Sequence, residues 1–312
     1  MERHGQRAEW TSVPTEVRSV VDMIAGAPIV RATNVAGGFS PGPAVRCDLA
    51  DGKRVFVKAC GERLSTHASA MHRREAAVMA AIPIAAPVPR LIGAYDDRDW
   101  VALVIELVDG RMPAAPLSSS DIAAILRVVE VLADIGTTTI GGVIEPAGRA
   151  QTKSGTPYLW RSVNGGDPAL DDWSRRNLDR LTVMESSWIE AVAGSTLLHG
   201  DLRSDNILIG DDITYVVDWP GASVGAEWVD LVGLLPSLHH DGAPPPARLF
   251  DRHPLGRRAD PSAVDAYLCA ISGYFTFKSL LPPPPGLPTL RPFQAAQAAI
   301  SREWLAEHTG WR

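Results

Sequence analysis

The chain has 312 residues, 46% hydrophobic and 21% charged, an ordinary globular composition able to bury its own core as one large domain or two smaller ones. Its 30 basic and 36 acidic residues give a formal net charge of −6, which argues against a sequence-independent nucleic-acid binder, because such a protein presents a basic face. Three cysteines, Cys47, Cys60 and Cys269, make neither a CxxC pair nor an even disulfide framework and read as buried thiols in a reducing cytosol.

In chain order, residues 1–10 are charged and lack the apolar stretch of a signal peptide. Residues 30–35, 44–49 and 54–59 are short β-prone runs, and Asp51-Gly52 between the last two is a strong hairpin signal. Gly37-Gly38-Phe39-Ser40-Pro41-Gly42 separates the first two. A helix is expected over 73–82, stopped by Pro83. The most apolar stretch, 76–89, contains Pro83 and Pro87 and is too short to span a bilayer. Residues 100–108 form a continuous apolar strand ending at the turn Asp109-Gly110. A cytoplasmic protein with no membrane and no nucleic-acid partner is the expectation.

The remainder reads as mainly helical. Ser119 or Ser120 can cap a helix with Ile122, Ile125, Leu126, Val129 and Leu132 on one face. Leu178, Leu181, Met184, Trp188 and Val192 repeat that pattern on a helix ending near Gly194. Short strands over 206–209 and 214–217 flank the turn Gly210-Asp211, and further helices are expected over 228–238, 261–280 and 293–308. The proline clusters 244–246 and 282–285 break helices and act as stiff spacers.

The run His199-Gly200-Asp201-Leu202-Arg203-Ser204-Asp205-Asn206, followed by Val216-Val217-Asp218-Trp219, carries the strongest chemical signal. Phosphoryl transfer needs a carboxylate that accepts or orients the proton of the acceptor hydroxyl, and hard oxygen ligands that hold Mg2+ against phosphates. Asp201 can be that base. Asn206, beyond a tight loop, can offer its amide oxygen, and the Gly210-Asp211 turn can return Asp218 beside it. The plainer alternative is that these Asp and Asn side chains cap turns.

The pattern H-x-D-x-x-x-x-N followed by a strand-borne aspartate is similar to the catalytic and metal-binding loops of protein kinases. Its His-Gly-Asp and Asp-Trp form resembles the aminoglycoside phosphotransferase family of small-molecule kinases, over about residues 30–240 and sharply at the motifs. The resemblance implies an α+β, protein-kinase-like two-lobed fold. Residues 1–108 would form a small N-terminal lobe with an antiparallel sheet, and 109–312 a larger, mostly helical lobe. It implies Asp201 as catalytic base and Asn206 and Asp218 as Mg2+ ligands.

Val55-Phe56-Val57-Lys58 resembles the kinase strand whose lysine pairs with phosphates, and Glu75, in the predicted helix, the glutamate that braces it. Singly, each would be a solvated surface residue; with Asp201, Asn206 and Asp218 they stand in kinase order. Gly37, Gly38 and Ser40 lie where a phosphate-covering loop belongs, although the run does not match G-x-G-x-x-G and also suits a plain hairpin turn. Residues 105–110 resemble the hinge between kinase lobes, which would assign the adenine edge to the Glu106 carbonyl and the Val108 amide; an ordinary strand end is the alternative. Arg203 either stabilises transferring charge or faces solvent. Asp230 matches a position that supports the catalytic loop, and His199 reads as a packed, hydrogen-bonded residue.

Only eleven residues separate Asp218 from Asp230, leaving no room for an activation loop, and the D-F-G and A-P-E segments are missing. A protein kinase is therefore not expected. The expected activity is transfer of the γ-phosphate of ATP, with GTP as an alternative donor and Mg2+ as the metal, to a hydroxyl of a small molecule. The acceptor would be an antibiotic of aminoglycoside, macrolide or nucleoside type, or a metabolite of choline, amino-sugar or homoserine type. A catalytically inactive kinase-fold nucleotide-binding regulator stays open. The chain after Asp241 would face the substrate. Asp171, Asp172, Glu303 and Glu307 are candidate partners for a cationic acceptor, and Trp304 and Trp311 would suit a less charged one.

Overall fold

The computed structural model describes residues 7–35, 40–135, 144–153, 158–284 and 287–312. Its first lobe contains α1 (Thr15–Ala25), β1 (Ile29–Asn34), β2 (Ala44–Leu49), β3 (Arg54–Gly61), α2 (Thr66–Ala81), β4 (Leu91–Asp96) and β5 (Trp100–Glu106). The strands form one antiparallel sheet in the order β1-β2-β3-β5-β4. Gly52 turns the β2–β3 hairpin at φ 85°, where a side chain would be strained.

Strand periodicity decides where the chemistry of β3 goes, since successive side chains point to opposite faces. Val55, Val57 and Ala59 are buried with Val17 and Val21 of α1 and with Trp10 and Val13 before it. Phe56 and Cys60 pack on the other face with Ala68 of α2, Leu103 and Ile105. Lys58 shares their parity, so it faces α2. That helix buries Ala68, His72 and Glu75, spaced as one helical face, and so presents Glu75 to the lysine.

The expected helix over 73–82 begins earlier, at Thr66, because the Ser65 hydroxyl accepts from the Ala68 amide at 3.1 Å and caps it. Its first turns are built from small residues and show no apolar stripe. Two elements were not anticipated. The helix α1 carries Val17, Val20, Val21 and Ile24 at helical spacing and packs Val17, Val21 and Ile24 on the first lobe's core. The edge strand β4 contains Gly93, where a Cβ would stand 2.7 Å from the Ile24 side chain, so the glycine admits α1 against the sheet.

The second lobe contains α3 (Ser119–Ala133), α4 (Ala147–Lys153), α5 (Asp172–Met184), α6 (Trp188–Ala191), β6 (Thr196–Leu198), β7 (Ile207–Ile209), β8 (Thr214–Val216) and β9 (Ser223–Gly225). It continues with α7 (Val229–His240), α8 (Pro246–Phe250), α9 (Pro254–Arg258), α10 (Pro261–Ser279) and α11 (Leu290–Thr309). Trp160, Trp188, Trp219 and Trp304 are among its largest buried side chains. The cap of α3 is Ser118 rather than Ser119 or Ser120. The helix expected to run through Leu178 and Val192 is broken at Glu185, which is fully buried and accepts from the amides of Trp160 (2.9 Å) and Arg161 (3.0 Å). A buried carboxylate must find donors, and the chain turns there to bring them. Asn206 lies in a 3-10 turn just before β7, not in the strand. The two-lobed α+β architecture is the expected one, and Cys47, Cys60 and Cys269 are free and buried.

Candidate active site

The antiparallel pair β6–β9 and the hairpin β7–β8 hold between them the loop that follows β6. Asp230, at the start of α7, receives the backbone amides of His199 (2.6 Å) and Gly200 (3.0 Å). Gly200 has φ 80°, and a Cβ there would meet the Gly221 carbonyl oxygen at 2.3 Å. Only glycine fits this position, which explains the middle residue of His-Gly-Asp. His199 is fully buried. Its Nε2 lies 3.0 Å from the Val217 carbonyl, and its Nδ1 accepts from the Asp201 amide at 3.3 Å. That pair of bonds corresponds to a neutral imidazole protonated at Nε2. The ring also meets Trp219 edge-on at 4.8 Å. His199 is a structural pin between the loop and β8.

The Asn206 side-chain amide donates to the Asp201 carbonyl at 2.9 Å, while the Val217 amide donates to the Asn206 carbonyl at 2.9 Å. These bonds bring Asp201, Asn206 and Asp218 to one floor. Asp218 has φ 70°, a left-handed conformation uncommon for an aspartate and frequent at functional sites.

The lysine–glutamate pair meets this floor from the other lobe. Lys58 Nζ donates to both Glu75 carboxylate oxygens (2.7 and 2.9 Å) and to Asp218 Oδ1 (2.7 Å). The Trp219 amide donates to Glu75 Oε1 at 3.3 Å. Arg74, next along α2, donates to the carbonyls of Pro220 (2.7 Å) and Ala222 (2.8 Å). One helix of the first lobe thus fixes the segment after β8 in the second.

The charges respond to these placements. Burial opposes the Lys58 charge, but Asp218 and Glu75 outweigh it and hold the ammonium well above its ordinary range. The Lys58 charge draws the Asp218 carboxyl down to about 2. Burial pushes Glu75 up against the pull of Lys58. Burial, followed by the Lys58 charge, lowers His72 to about 3, so it stays neutral. The surrounding walls push Asp201 up, against Arg203, although 57% of its side chain is accessible from the cleft. Arg203 forks onto Asp205 at 2.9 and 3.0 Å and stands 3.8 Å from Asp201. Only 16% of it is accessible, so it is not a solvent-facing arginine.

A cleft of about 1230 Å3 between the lobes is lined by Ser40, Lys58, Glu75, Glu106, Val108, Asp201, Arg203, Asn206 and Asp218. The sequence-derived candidates therefore converge on one cavity, except Gly37 and Gly38, which lie outside the described residues. The candidate acceptor residues do not. Asp171 caps α5 and pairs with Arg302 at 3.0 Å, Trp304 is buried against Phe250, and Trp311 stacks on Trp173. Asp172, Glu303 and Glu307 likewise do not line the cleft. Packing took Trp304 and Trp311 inward, Asp171 caps its helix and pairs with Arg302, and Asp172, Glu303 and Glu307 lie on exposed helix faces away from the cleft. Sequence reasoning missed Arg7, Met112, Pro292 and Phe293, which do line it; no spacing pattern marks them. His240 also lines it and meets Phe293 edge-on, while His239 bonds the Ala243 carbonyl at 2.8 Å.

No curated protein matches the sequence. Solved structures do match the fold. A thermostable mutant of aminoglycoside phosphotransferase APH(4)-Ia, in ternary complex with ADP and hygromycin B, has a TM-score of 0.57 at 16% identity, covering 92% of this chain and 98% of that one. The choline kinase LicA of Streptococcus pneumoniae gives 0.59 at 12% identity over 94% and 100% of the two chains. The GDP complex of aminoglycoside 2'-phosphotransferase-IIIa gives 0.53 at 16% over 95% and 99%. At such identities the likeness concerns the fold. The profile of the phosphotransferase enzyme family matches residues 32–267, a span that holds Lys58, Glu75, Asp201, Asn206, Asp218 and the cleft they share. With most of the sequence inside that profile and the site assembled within it, the chain belongs to the phosphotransferase enzyme family and is a small-molecule kinase acting on a hydroxyl group.

Proposed function

We propose that the protein transfers the γ-phosphoryl group of ATP to a hydroxyl of a small acceptor, with residues 1–108 holding the nucleotide and 109–312 supplying the catalytic loop and acceptor site. The observation that carries this reading is the Lys58 ammonium, bonded at once to Glu75 and Asp218 and facing the cleft that holds Asp201. The Glu106 carbonyl and Val108 amide would take the adenine edge, and Ser40, with Gly37 and Gly38, would cover the phosphates. Lys58, braced by Glu75, would fix the α- and β-phosphates. Asp201 would receive the proton of the acceptor hydroxyl as its oxygen bonds to the γ-phosphorus and the bond to the β–γ bridging oxygen breaks, releasing ADP. Arg203 would offset the charge spreading over the transferred group.

The donor set fits Mg2+. Asp218 is ionised, and the Asn206 amide nitrogen is engaged with the Asp201 carbonyl, which leaves its Oδ1 as the acceptor. Both are hard oxygen ligands. Bound there, the ion would neutralise phosphate charge; the residues that hold it are Asn206 and Asp218. We place the protein in the cytoplasm, where its nucleotide donor is supplied; among the described residues no helix is long and apolar enough to cross a membrane.

The acceptor side favours a neutral or weakly charged molecule over a polycation. Phe293, His240 and Pro292 form an apolar wall. Tyr274 stands within the field of Asp201, with Lys278 5.8 Å from its ring centroid. The nearby carboxylates are engaged, Asp205 by Arg203 and Asp241 by the Ser204 hydroxyl at 2.5 Å. Macrolide, nucleoside and metabolite acceptors suit this wall better than aminoglycosides. The test is consumption of ATP and of GTP with Mg2+ across a panel of these acceptors plus aminoglycosides and choline, with Asp201→Asn as control. Acceptor-dependent consumption abolished in the variant is expected. Consumption that persists in the variant would overturn the assignment of Asp201.

A further inference from the structure

The strand β3 leads away from the hinge, with Val55 paired to Glu106 at one end and Gly61 to Trp100 at the other. The helix α2 starts at that far end, where the Ser65 amide donates to the Gly61 carbonyl at 3.1 Å. By Glu75 it has come back level with Lys58. His72 precedes Glu75 by three residues on the same helix face, so it stands about 4.5 Å farther from the hinge along the helix axis. It is only 7% exposed, yet it lines the cleft. Its Nδ1 is 3.9 Å from Glu75 Oε2, the oxygen that Lys58 Nζ meets at 2.9 Å, and that separation is too long for a hydrogen bond. Among the described residues neither ring nitrogen of His72 has a hydrogen-bond partner. Burial first, and the Lys58 charge next, keep the imidazole neutral, so one of its nitrogens carries a hydrogen to donate.

A buried polar ring without a partner is costly, and folded proteins satisfy nearly all such groups. One that lines a cleft points to a ligand as its missing partner. The Lys58 ammonium close by selects an anion over a cation at this spot. With the adenine edge at Glu106 and Val108 and the α- and β-phosphates at Lys58, a nucleotide lying along the cleft brings its terminal phosphate to the level of His72. We propose that His72 donates a hydrogen bond to the terminal phosphate of the bound nucleotide, so that the cleft distinguishes a triphosphate from a diphosphate. The inference rests on the reading of the cleft as a nucleotide site.

The test is calorimetric titration of the full chain, with Mg2+ and no acceptor, by ATP, ADP and adenosine. It compares the native protein with His72→Phe, which keeps the ring volume and loses the donor, and with His72→Gln, which keeps an N–H. For His72→Phe the ATP Kd should rise about tenfold, equivalent to about 1.4 kcal/mol. The ADP and adenosine Kd values should stay within about twofold, the melting temperature should not fall, and His72→Gln should recover part of the ATP affinity. An unchanged ATP Kd in His72→Phe would overturn the proposal. Equal losses for ATP and ADP would overturn it too, and would make His72 a support for the Lys58–Glu75 pair. Should His72→Phe fold poorly, the side-chain 15N signals of His72 in the native protein decide: they should shift with ATP and not with ADP, and no shift with ATP would overturn the contact. Native protein that binds neither ATP nor GTP would remove the nucleotide reading itself, a failure distinct from native ATP binding that His72→Phe leaves intact.

Discussion

The two carboxylates on the cleft floor answer oppositely to nearly the same surroundings. Asp218 follows β8 and meets Lys58 at 2.7 Å, which draws its carboxyl down to about 2. Asp201 sits on the loop after β6, where the enclosing walls raise its carboxyl and Arg203, 3.8 Å away, only moderates the effect. The first is therefore fixed as an anion, the state a cation ligand needs. The second binds a proton more readily, the property required of a group that receives one from a hydroxyl. One cation crossing between lobes produces this division, because its charge reaches one aspartate in hydrogen-bonding contact and the other only across the cleft.

The largest expected effect falls on Asp201. Asp201→Asn should lower turnover by about 10³-fold or more while ATP affinity stays within about twofold; turnover close to native would remove the distinction between the two carboxylates. Next comes the support beneath them. Asp230→Ala leaves the buried amides of His199 and Gly200 without their acceptor, at roughly 2–4 kcal/mol of folding free energy, to be read in denaturant melts. Unaltered stability would show that something other than Asp230 holds the loop.

Glu75→Gln tests whether the lysine needs both anions. With Asp218 as its sole carboxylate partner, Lys58 should sit off its phosphate position, and ATP affinity should fall by about tenfold, in line with loss of a charged hydrogen bond. Native affinity would leave Asp218 as the sole positioner. The smallest effect concerns stability against pH. The depressed carboxyl of Asp218 contributes stability above the unfolded carboxylate range, lost as pH falls from there through about 2. The raised carboxyl of Asp201 acts with opposite sign: its ionisation near neutral pH disfavours the folded state. At pH 7, Asp218→Asn should lower the melting temperature and Asp201→Asn should raise it by a few degrees. Shifts of the same sign would break the comparison.

The nucleotide half of the cleft was largely legible because its chemistry sits at fixed offsets on short elements. The strand ending at Lys58, the loop from His199 to Asn206 and the aspartate after β8 each occupy one element, and their residue types are what phosphate and hard cations require. The opposite wall, proposed above to face the acceptor, was not. Phe293, His240 and Met112 come from α11, α7 and the stretch after the hinge, and nothing in their local spacing separates them from packing residues. Of the carboxylates and tryptophans singled out in their place, Asp171 proved to be a helix cap paired with Arg302, Asp172, Glu303 and Glu307 exposed helix positions, and Trp304 and Trp311 packing residues. Arg7 escaped for a related reason: a lone arginine before the first helix has no pattern, and only the anchoring of Trp10 and the Ala8–Pro41 bond bring it to the site.

By itself the sequence determined six of the strands and most of the long helices, and marked five polar residues that meet in one cleft, because hydrophobic period, turn residues and motif offsets are local properties. The tertiary structure decided the rest: that β3 turns Lys58 toward α2, that Glu75 and Asp218 meet on that lysine, that His199 is a buried pin, and which side chains wall the acceptor space. These depend on how helices and sheet faces pack across distances no local pattern spans, and on the contact with Lys58 that sets Asp218 apart from Asp201 in charge.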